Sequence, residues 1–101
     1  MPKIFEYFGI ILFFYSNEHE PIHVHAKKGE FESKAEFEII EGQIEKITIS
    51  SVFGKRPLKN NDLKHFQEFL DKFGLKIVEK WVDYFIYHKR VEFEKINSKL
   101  K

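Results

Sequence analysis

The period of the hydrophobic pattern changes near the middle of the chain, and this change constrains the fold more than any other feature. Between residues 31 and 40, apolar or small residues alternate with charged ones, which is typical of a strand with one buried face. From Leu63 to Phe85 the apolar residues recur every three or four positions, which indicates helices with one apolar side. Strands followed by helices predict an α+β fold.

The first half of the chain predicts an antiparallel meander of four to five strands. Phe8 and Gly9 suit a tight hairpin between strands at residues 3–7 and 10–16, because glycine accepts a positive φ. Residues 10–15 are apolar at every position, which favours a strand at the centre of the sheet.

A turn at residues 28–29 predicts how the next two strands pair. Register is set by the need to bring the apolar residues of both strands onto one face. An even-length turn at this point places His25 opposite Glu32 and His23 opposite Lys34, on the polar face of the sheet.

The following strand, residues 44–51, has its own register. Ile47 meets Phe37, and Ile49 meets Ala35, only if the loop around Gly42 has odd length. We therefore expect a three-residue turn or a β-bulge at this hairpin.

The second half predicts two helices packed on the sheet. The first begins after an N-cap at Asn60 or Asn61 and runs to about Phe73, Gly74 ends it, and the second begins at Leu75. Beyond residue 88 the pattern fits a short strand and a fraying helix equally well. We interpret residues 1–88 as a single α+β domain and residues 89–101 as a charged C-terminal extension of that domain.

Composition narrows the class of protein. With 101 residues and 43% hydrophobic residues the chain can form one core, and twelve phenylalanines predict that this core is built from Phe. The absence of cysteine excludes disulfides and thiolate metal sites and suits the cytoplasm. The apolar run at residues 8–15 is shorter than the ~20 residues that span a bilayer, so no membrane association is expected.

Charge is unevenly distributed along the chain. Residues 1–50 hold five lysines against nine glutamates, whereas residues 51–101 hold twelve Lys or Arg against seven Asp or Glu. This asymmetry can orient a partner, but it is weaker than the basic footprint of a dedicated nucleic-acid binder.

The residues best suited to bind a metal or to take part in catalysis lie at His23-Val24-His25. Alternation along a strand places both imidazoles on one face, within reach of a single ion. Glu18 precedes them, and these three residues form the predicted metal set, for zinc or manganese. Glu32 is expected to orient the ring of His25 or to bind the metal directly.

Other interpretations of the same segment stay open. The histidines can be exposed strand residues that pair with Glu32 and Glu36, or they can bind phosphate or act as a general base. A buried histidine is not expected, because both histidines alternate with the apolar residues. The predicted functional patch consists of Asn17, Glu18, His19, His23, His25 and Glu32.

A weaker candidate is the basic loop formed by Lys55, Arg56 and Lys59. It leads into the start of a helix, where backbone N–H groups favour phosphate or an acidic partner. A solvated loop without a ligand is the alternative.

Several of these features together resemble one bacterial family, the domain of unknown function DUF4160. The resemblance covers residues 1–88 and lies in the opening MPKI, in Gly9, in Phe13-Phe14-Tyr15-Ser16-Asn17-Glu18, in Pro21 and in His23-Val24-His25. It departs at Ile22, where many members have a second proline, and in the charged extension after residue 87.

The resemblance implies that the chain has a protein partner. It implies no particular activity, because none is established for the family. Members are often encoded beside a second small protein of the DUF2442 family, an arrangement similar to a toxin–antitoxin pair. The leading hypothesis is therefore a partner-binding component of such a bacterial two-gene module. The alternative is a divalent-metal-dependent hydrolase or nuclease that uses Glu18, His23 and His25. Direct binding of RNA or DNA by the basic second half is a third hypothesis.

Overall fold

The computed structural model describes residues 2–17 and 21–97, which form one six-stranded sheet and one helix. In chain order the elements are β1 (Lys3–Tyr7), β2 (Ile10–Phe13), β3 (His23–Lys28), β4 (Phe31–Ile40), β5 (Gln43–Ser51), α1 (Asn60–Phe85) and β6 (Glu94–Ile96). The sheet order is β5-β4-β3-β2-β1-β6. The α+β class is confirmed, but the predicted count of four to five antiparallel strands is too low, because β6 joins the sheet parallel to β1.

Two of the hairpins have two-residue turns with positive φ angles. Phe8 and Gly9 join β1 to β2, and both have positive φ angles, 50° and 77°. Glu41 and Gly42 join β4 to β5 with φ angles of 52° and 79°. Two consecutive positive φ angles are the mark of a type I′ turn, whose twist matches that of the flanking strands.

The register of β3 against β4 differs from the prediction by two residues. The loop consists of Gly29 and Glu30, so the first pair is Lys28 with Phe31. A shift of two leaves every side chain on its predicted face, and for this reason the alternation of the sequence does not distinguish the two registers. The cross-strand pairs that matter below are His23 with Glu36, His25 with Lys34, and Lys27 with Glu32.

The predicted register of β4 against β5 is confirmed. Phe37 pairs with Ile47 and Ala35 pairs with Ile49. The odd offset comes from an irregularity in the ladder just after Glu38, where a bulge follows the two-residue turn.

The prediction of two helices is wrong, because α1 continues through Gly74. This glycine is buried, and a Cβ atom on it would lie 3.3 Å from Cδ1 of Ile44 in the sheet. The missing side chain allows the helix to approach β5 closely, and this packing outweighs the ~1 kcal/mol that glycine costs inside a helix. The helix begins at Asn60, and its N-cap is Lys59 instead of the predicted asparagine.

We expect Gly74→Val to lower the free energy of unfolding by about 1 to 3 kcal/mol, because the added methyl groups overpack the helix–sheet contact. Urea denaturation measures the change. Lys76→Val, at an exposed position two residues further along α1, is the matched control. Equal losses for the two variants would show that the close approach at Gly74 has no energetic weight.

The core lies between α1 and one face of the sheet and is built from phenylalanine, as predicted. Phe69 lies at its centre, with ring centroids 5.0 Å from Phe5 and 4.6 Å from Phe73. The remaining fully buried apolar residues of this core include Ile4, Tyr7, Ile10, Leu12, Val24, Phe66 and Ile77. No helix within the described residues is long and apolar enough to span a membrane.

The C-terminal extension adds β6 to the open side of β1. Lys80 of α1 holds it there, since Nζ donates to the carbonyl of Glu92 at 2.8 Å and lies 3.0 Å from the Glu94 carboxylate. Of the two sequence interpretations of this segment, the strand is correct.

Candidate functional site

The predicted histidines lie on the face of the sheet opposite α1, which we call the helix-free face. Alternation along β3 and β4 places His23, His25, Glu32, Lys34 and Glu36 on this face. Among the described residues, no helix packs against it.

Glu32 is the centre of a buried polar cluster. Glu32 is only 4% exposed. One carboxylate oxygen, Oε2, lies 3.1 Å from the hydroxyl of Tyr15 and 3.0 Å from Nδ1 of His25. Burial of a carboxylate is costly unless hydrogen bonds compensate it, and these two donors supply that compensation. We refer to these three residues as the Tyr15–Glu32–His25 cluster.

Aromatic rings enclose the imidazole of His25. The Tyr15 ring meets it edge to face at a centroid distance of 4.5 Å, and the Phe13 ring stacks on it at 5.5 Å. Phe13 is itself fully buried, although it points away from the main core. The packing leaves His25 2% exposed and fixes the orientation of its ring.

His23 is held by a different partner. Its Nδ1 lies 2.6 Å from the carbonyl oxygen of Pro21, and its ring centroid lies 5.2 Å from that of His25. A carbonyl oxygen only accepts, so the ring donates its Nδ1 proton to Pro21. Pro21 therefore helps to position the ring of His23.

The burial of both histidines overturns a prediction. His23 is 7% and His25 is 2% exposed, whereas the alternation of the sequence indicates that neither histidine is buried. The cause is the neighbouring strand, because Phe13 of β2 pairs directly with His25 and extends the packing onto this face. Glu32 reaches His25 diagonally, not from the directly opposite position.

Both imidazoles are thus held through Nδ1 by an acceptor, a carbonyl for His23 and a carboxylate for His25. This arrangement fixes the ring orientation and makes Nε2 the basic nitrogen of the neutral ring. The same contacts are typical of histidines that bind a metal or abstract a proton through Nε2.

Comparison with known protein families shows to which family the chain belongs. A family model described as Domain of unknown function (DUF4160) matches residues 9–82, which include the whole cluster and both histidines. The chain belongs to the DUF4160 family. No curated protein and no solved structure matches it. The match ends before β6, so the C-terminal strand of this DUF4160 protein lies outside the family model.

The predicted metal set is only partly within the described residues of this DUF4160 domain. Glu18 and His19 lie outside residues 2–17 and 21–97, so their positions relative to the histidines stay predictions. Within those ranges, no group of three His, Cys, Asp or Glu side chains is placed to hold a metal ion. His23 and His25 fit as two ligands, because each has its Nδ1 engaged by an acceptor.

Asn17 lies in the exposed turn that follows β2. The basic loop runs beside the start of β4, where the carbonyl of Arg56 accepts a hydrogen bond from the backbone N–H of Glu32 at 2.8 Å. Arg56 is exposed and its guanidinium is 4.0 Å from Glu30, whereas Lys59 lies over the ring of Phe31. Lys59 also lines a groove of about 630 Å³ at the start of α1, and Lys55 is exposed. A role for these residues in phosphate binding stays a prediction.

Sequence reasoning missed two members of the DUF4160 site, Tyr15 and Phe13. A signal for Tyr15 was present, since a tyrosine in an apolar strand needs a partner for its hydroxyl. A glutamate in the polar positions of β4 is the acceptor that this hydroxyl finds. The position of Phe13 gave no comparable signal, because the sequence does not reveal which face of β2 packs beside the histidines.

Proposed function

We propose that this DUF4160 protein is the partner-binding component of a bacterial two-gene module of the toxin–antitoxin type, and that it acts in the cytoplasm. The partner is the small protein encoded by the neighbouring gene, and it docks on the helix-free face. The observation that carries the proposal is the buried Tyr15–Glu32–His25 cluster on a face that α1 does not cover.

The cluster indicates a functional role, because apolar residues at the same positions would stabilise the fold at least as well. Replacing buried charged groups by apolar residues of similar volume is often neutral or stabilising. The same face already contains a fully buried phenylalanine, Phe13, so an apolar replacement would have a surface to pack against. A carboxylate in this position holds the imidazole of His25 in one orientation, which is the property that a recognition surface needs.

The surroundings of the cluster suit a protein partner. Lys34 and Glu36 lie directly across the ladder from His25 and His23, and both are half-buried. Charges of opposite sign at the rim of a docking surface fix the orientation of a partner and suppress binding of wrong partners. The partner is therefore expected to present an acidic group toward Lys34 and a basic group toward Glu36.

Co-expression of the full chain with the product of the neighbouring gene tests the proposal. We expect the two proteins to co-purify, and we expect Lys34→Glu with Glu36→Lys to weaken the complex about tenfold or more. Lys64→Glu with Glu79→Lys exchanges the same charges on exposed positions of α1 and is the matched control. The proposal fails if no complex forms at micromolar concentration, or if both double variants bind as the parent chain does.

A second candidate is a divalent-metal-dependent hydrolase or nuclease, and the Nδ1 contacts of both histidines favour it. Glu18, His23 and His25 would hold zinc or manganese, which supplies an activated water molecule at neutral pH. The chain's own contribution is to orient the two imidazoles through Pro21 and Glu32. In this mechanism the basic loop formed by Lys55, Arg56 and Lys59 would bind the phosphate groups of the substrate.

Metal binding and activity have separate readouts. Titration of the purified chain with zinc or manganese measures binding, and cleavage of RNA measures activity. We expect His23→Ala and His25→Ala to abolish both signals. His88→Asn should leave them unchanged, because His88 follows the end of α1 and is not part of the predicted metal set, and asparagine tolerates the positive φ of this position. Absence of binding by the parent chain, or equal activity in all three variants, would exclude this candidate.

A further inference from the structure

The two edges of the sheet differ in how well they are covered. At one edge β6 pairs with β1, and Lys80 holds β6 in place. At the other edge β5 has nine residues and no strand beside it among the described residues. A long edge strand presents a row of unpaired N–H and C=O groups, for which another extended strand is the natural ligand.

The side chains of β5 do not protect this edge. It has no proline, and its only cation is Lys46. Its isoleucines on the α1 side, Ile47 and Ile49, are half-buried. Next to them a groove of about 220 Å³ separates β5 from α1, and Leu75 at its rim is 62% exposed. The edge therefore combines open backbone groups with apolar side chains that are only partly covered.

We propose that β5 pairs with β5 of a second copy of this chain, antiparallel and with the two-fold axis passing through Thr48. In this register Ile47 of each copy lies opposite Ile49 of the other. Lys46 lies opposite Ser50, and Thr48 lies opposite itself. Apolar pairs form on the α1 side and polar pairs form on the helix-free side, as cross-strand packing requires.

Neighbouring registers are less complementary. With the axis at Ile47, residue 49 lies opposite Glu45, and an isoleucine meets a carboxylate. With the axis at Ile49, residue 47 lies opposite Ser51, so a single Ile49–Ile49 pair replaces the two Ile47–Ile49 pairs. The sequence of β5 is thus self-complementary about Thr48 and not about the adjacent positions. This symmetry selects a second copy as the occupant of the edge.

The dimer has a defined geometry. Directly opposite residues of an antiparallel pair lie on the same face, so the two-fold axis stands perpendicular to the sheet. Both α1 helices then lie on one side of a continuous sheet, and both helix-free faces lie on the other. Each dimer would present two copies of the Tyr15–Glu32–His25 cluster on the same side. The inference does not depend on the proposed function.

Sedimentation of the purified full chain from micromolar to near-millimolar concentration tests the dimer. The expected result is a concentration-dependent species with twice the 12.2 kDa mass of the chain. Thr48→Lys places two ammonium groups opposite each other on the axis and is expected to raise the dissociation constant about tenfold or more. Gln67→Lys, which adds the same charge on an exposed position of α1, should leave the dimer unchanged.

Mixing two variants tests the register itself. Thr48→Glu also repels its own copy, but an equimolar mixture of Thr48→Lys and Thr48→Glu places opposite charges on the axis and should restore association. A parent chain that stays monomeric at all concentrations would overturn the inference. So would a dimer that is insensitive to Thr48→Lys, or a mixture of the two variants that associates no better than either alone.

Discussion

Glu32→Ala is expected to lower the free energy of unfolding by about 2 to 6 kcal/mol, because two buried donors lose this acceptor and each such loss costs about 1 to 3 kcal/mol. The Glu32 carboxylate accepts hydrogen bonds from the Tyr15 hydroxyl and from Nδ1 of His25 inside a closed environment. Its removal leaves both donors without this acceptor in a site from which water is largely excluded. The loss is large because two groups are affected by one truncation.

Urea denaturation of three variants measures this effect. Glu38→Ala removes the same side chain from an exposed position on the same strand, and we expect a change of less than about 0.5 kcal/mol. Glu32→Gln keeps the length of the side chain and one acceptor oxygen, so its loss should fall between the two alanine variants. Similar values for Glu32→Ala and Glu38→Ala would contradict the description of the cluster.

Phe69→Ala is expected to lower the free energy of unfolding by about 3 to 5 kcal/mol, the usual cost of truncating a buried phenylalanine. Phe69 is fully buried, and its ring lies 5.3 Å from that of Tyr7 in addition to its contacts with Phe5 and Phe73. These contacts join α1 to β1, so the cavity would open between the two layers of the fold.

The matched control for Phe69 is Phe53, which is fully exposed in the loop after β5. Thermal or urea unfolding of Phe53→Ala should differ from that of the parent chain by less than about 0.5 kcal/mol. If Phe69→Ala cost as little as Phe53→Ala, the placement of α1 on the sheet would be wrong.

Most of the sheet could be predicted from the sequence, and the one error in register has a simple cause. Between β4 and β5 the position of the turn glycine and the isoleucine pattern together allow one solution, and that solution is present. Between β3 and β4 the turn region Lys28-Gly29-Glu30 allows two hairpins that differ by two residues. Both keep the same faces, so only the backbone of the turn distinguishes them.

The helix was harder to predict because Gly74 has two possible meanings. A glycine between two apolar stripes is typical of a helix end, and the same residue also permits close packing against a sheet. The second meaning depends on Ile44, which lies thirty positions earlier in the chain. A contact between elements so distant in sequence is not visible in the local pattern.

His23, His25 and Glu32 were predicted as members of the site, but Tyr15, Phe13 and the burial of the site were not. Alternation correctly placed His23 and His25 on one face, and the contact between His25 and Glu32 was expected. Their burial was not, because it results from the position of β2 beside β3 and from the side chains of Phe13 and Tyr15. The exposure of a strand residue depends on its neighbours across the sheet, which the segment containing the histidines does not specify.

Both proposals for the helix-free face rest on imidazoles that are held through Nδ1, and the protonation of that nitrogen can be observed directly. A long-range nitrogen–proton NMR correlation spectrum of the nitrogen-labelled chain, assigned with His23→Gln and His25→Gln, reports which nitrogen of each ring carries a proton. The structure predicts a protonated Nδ1 in both His23 and His25. A spectrum in which either ring has a proton on Nε2 and none on Nδ1 would contradict the account.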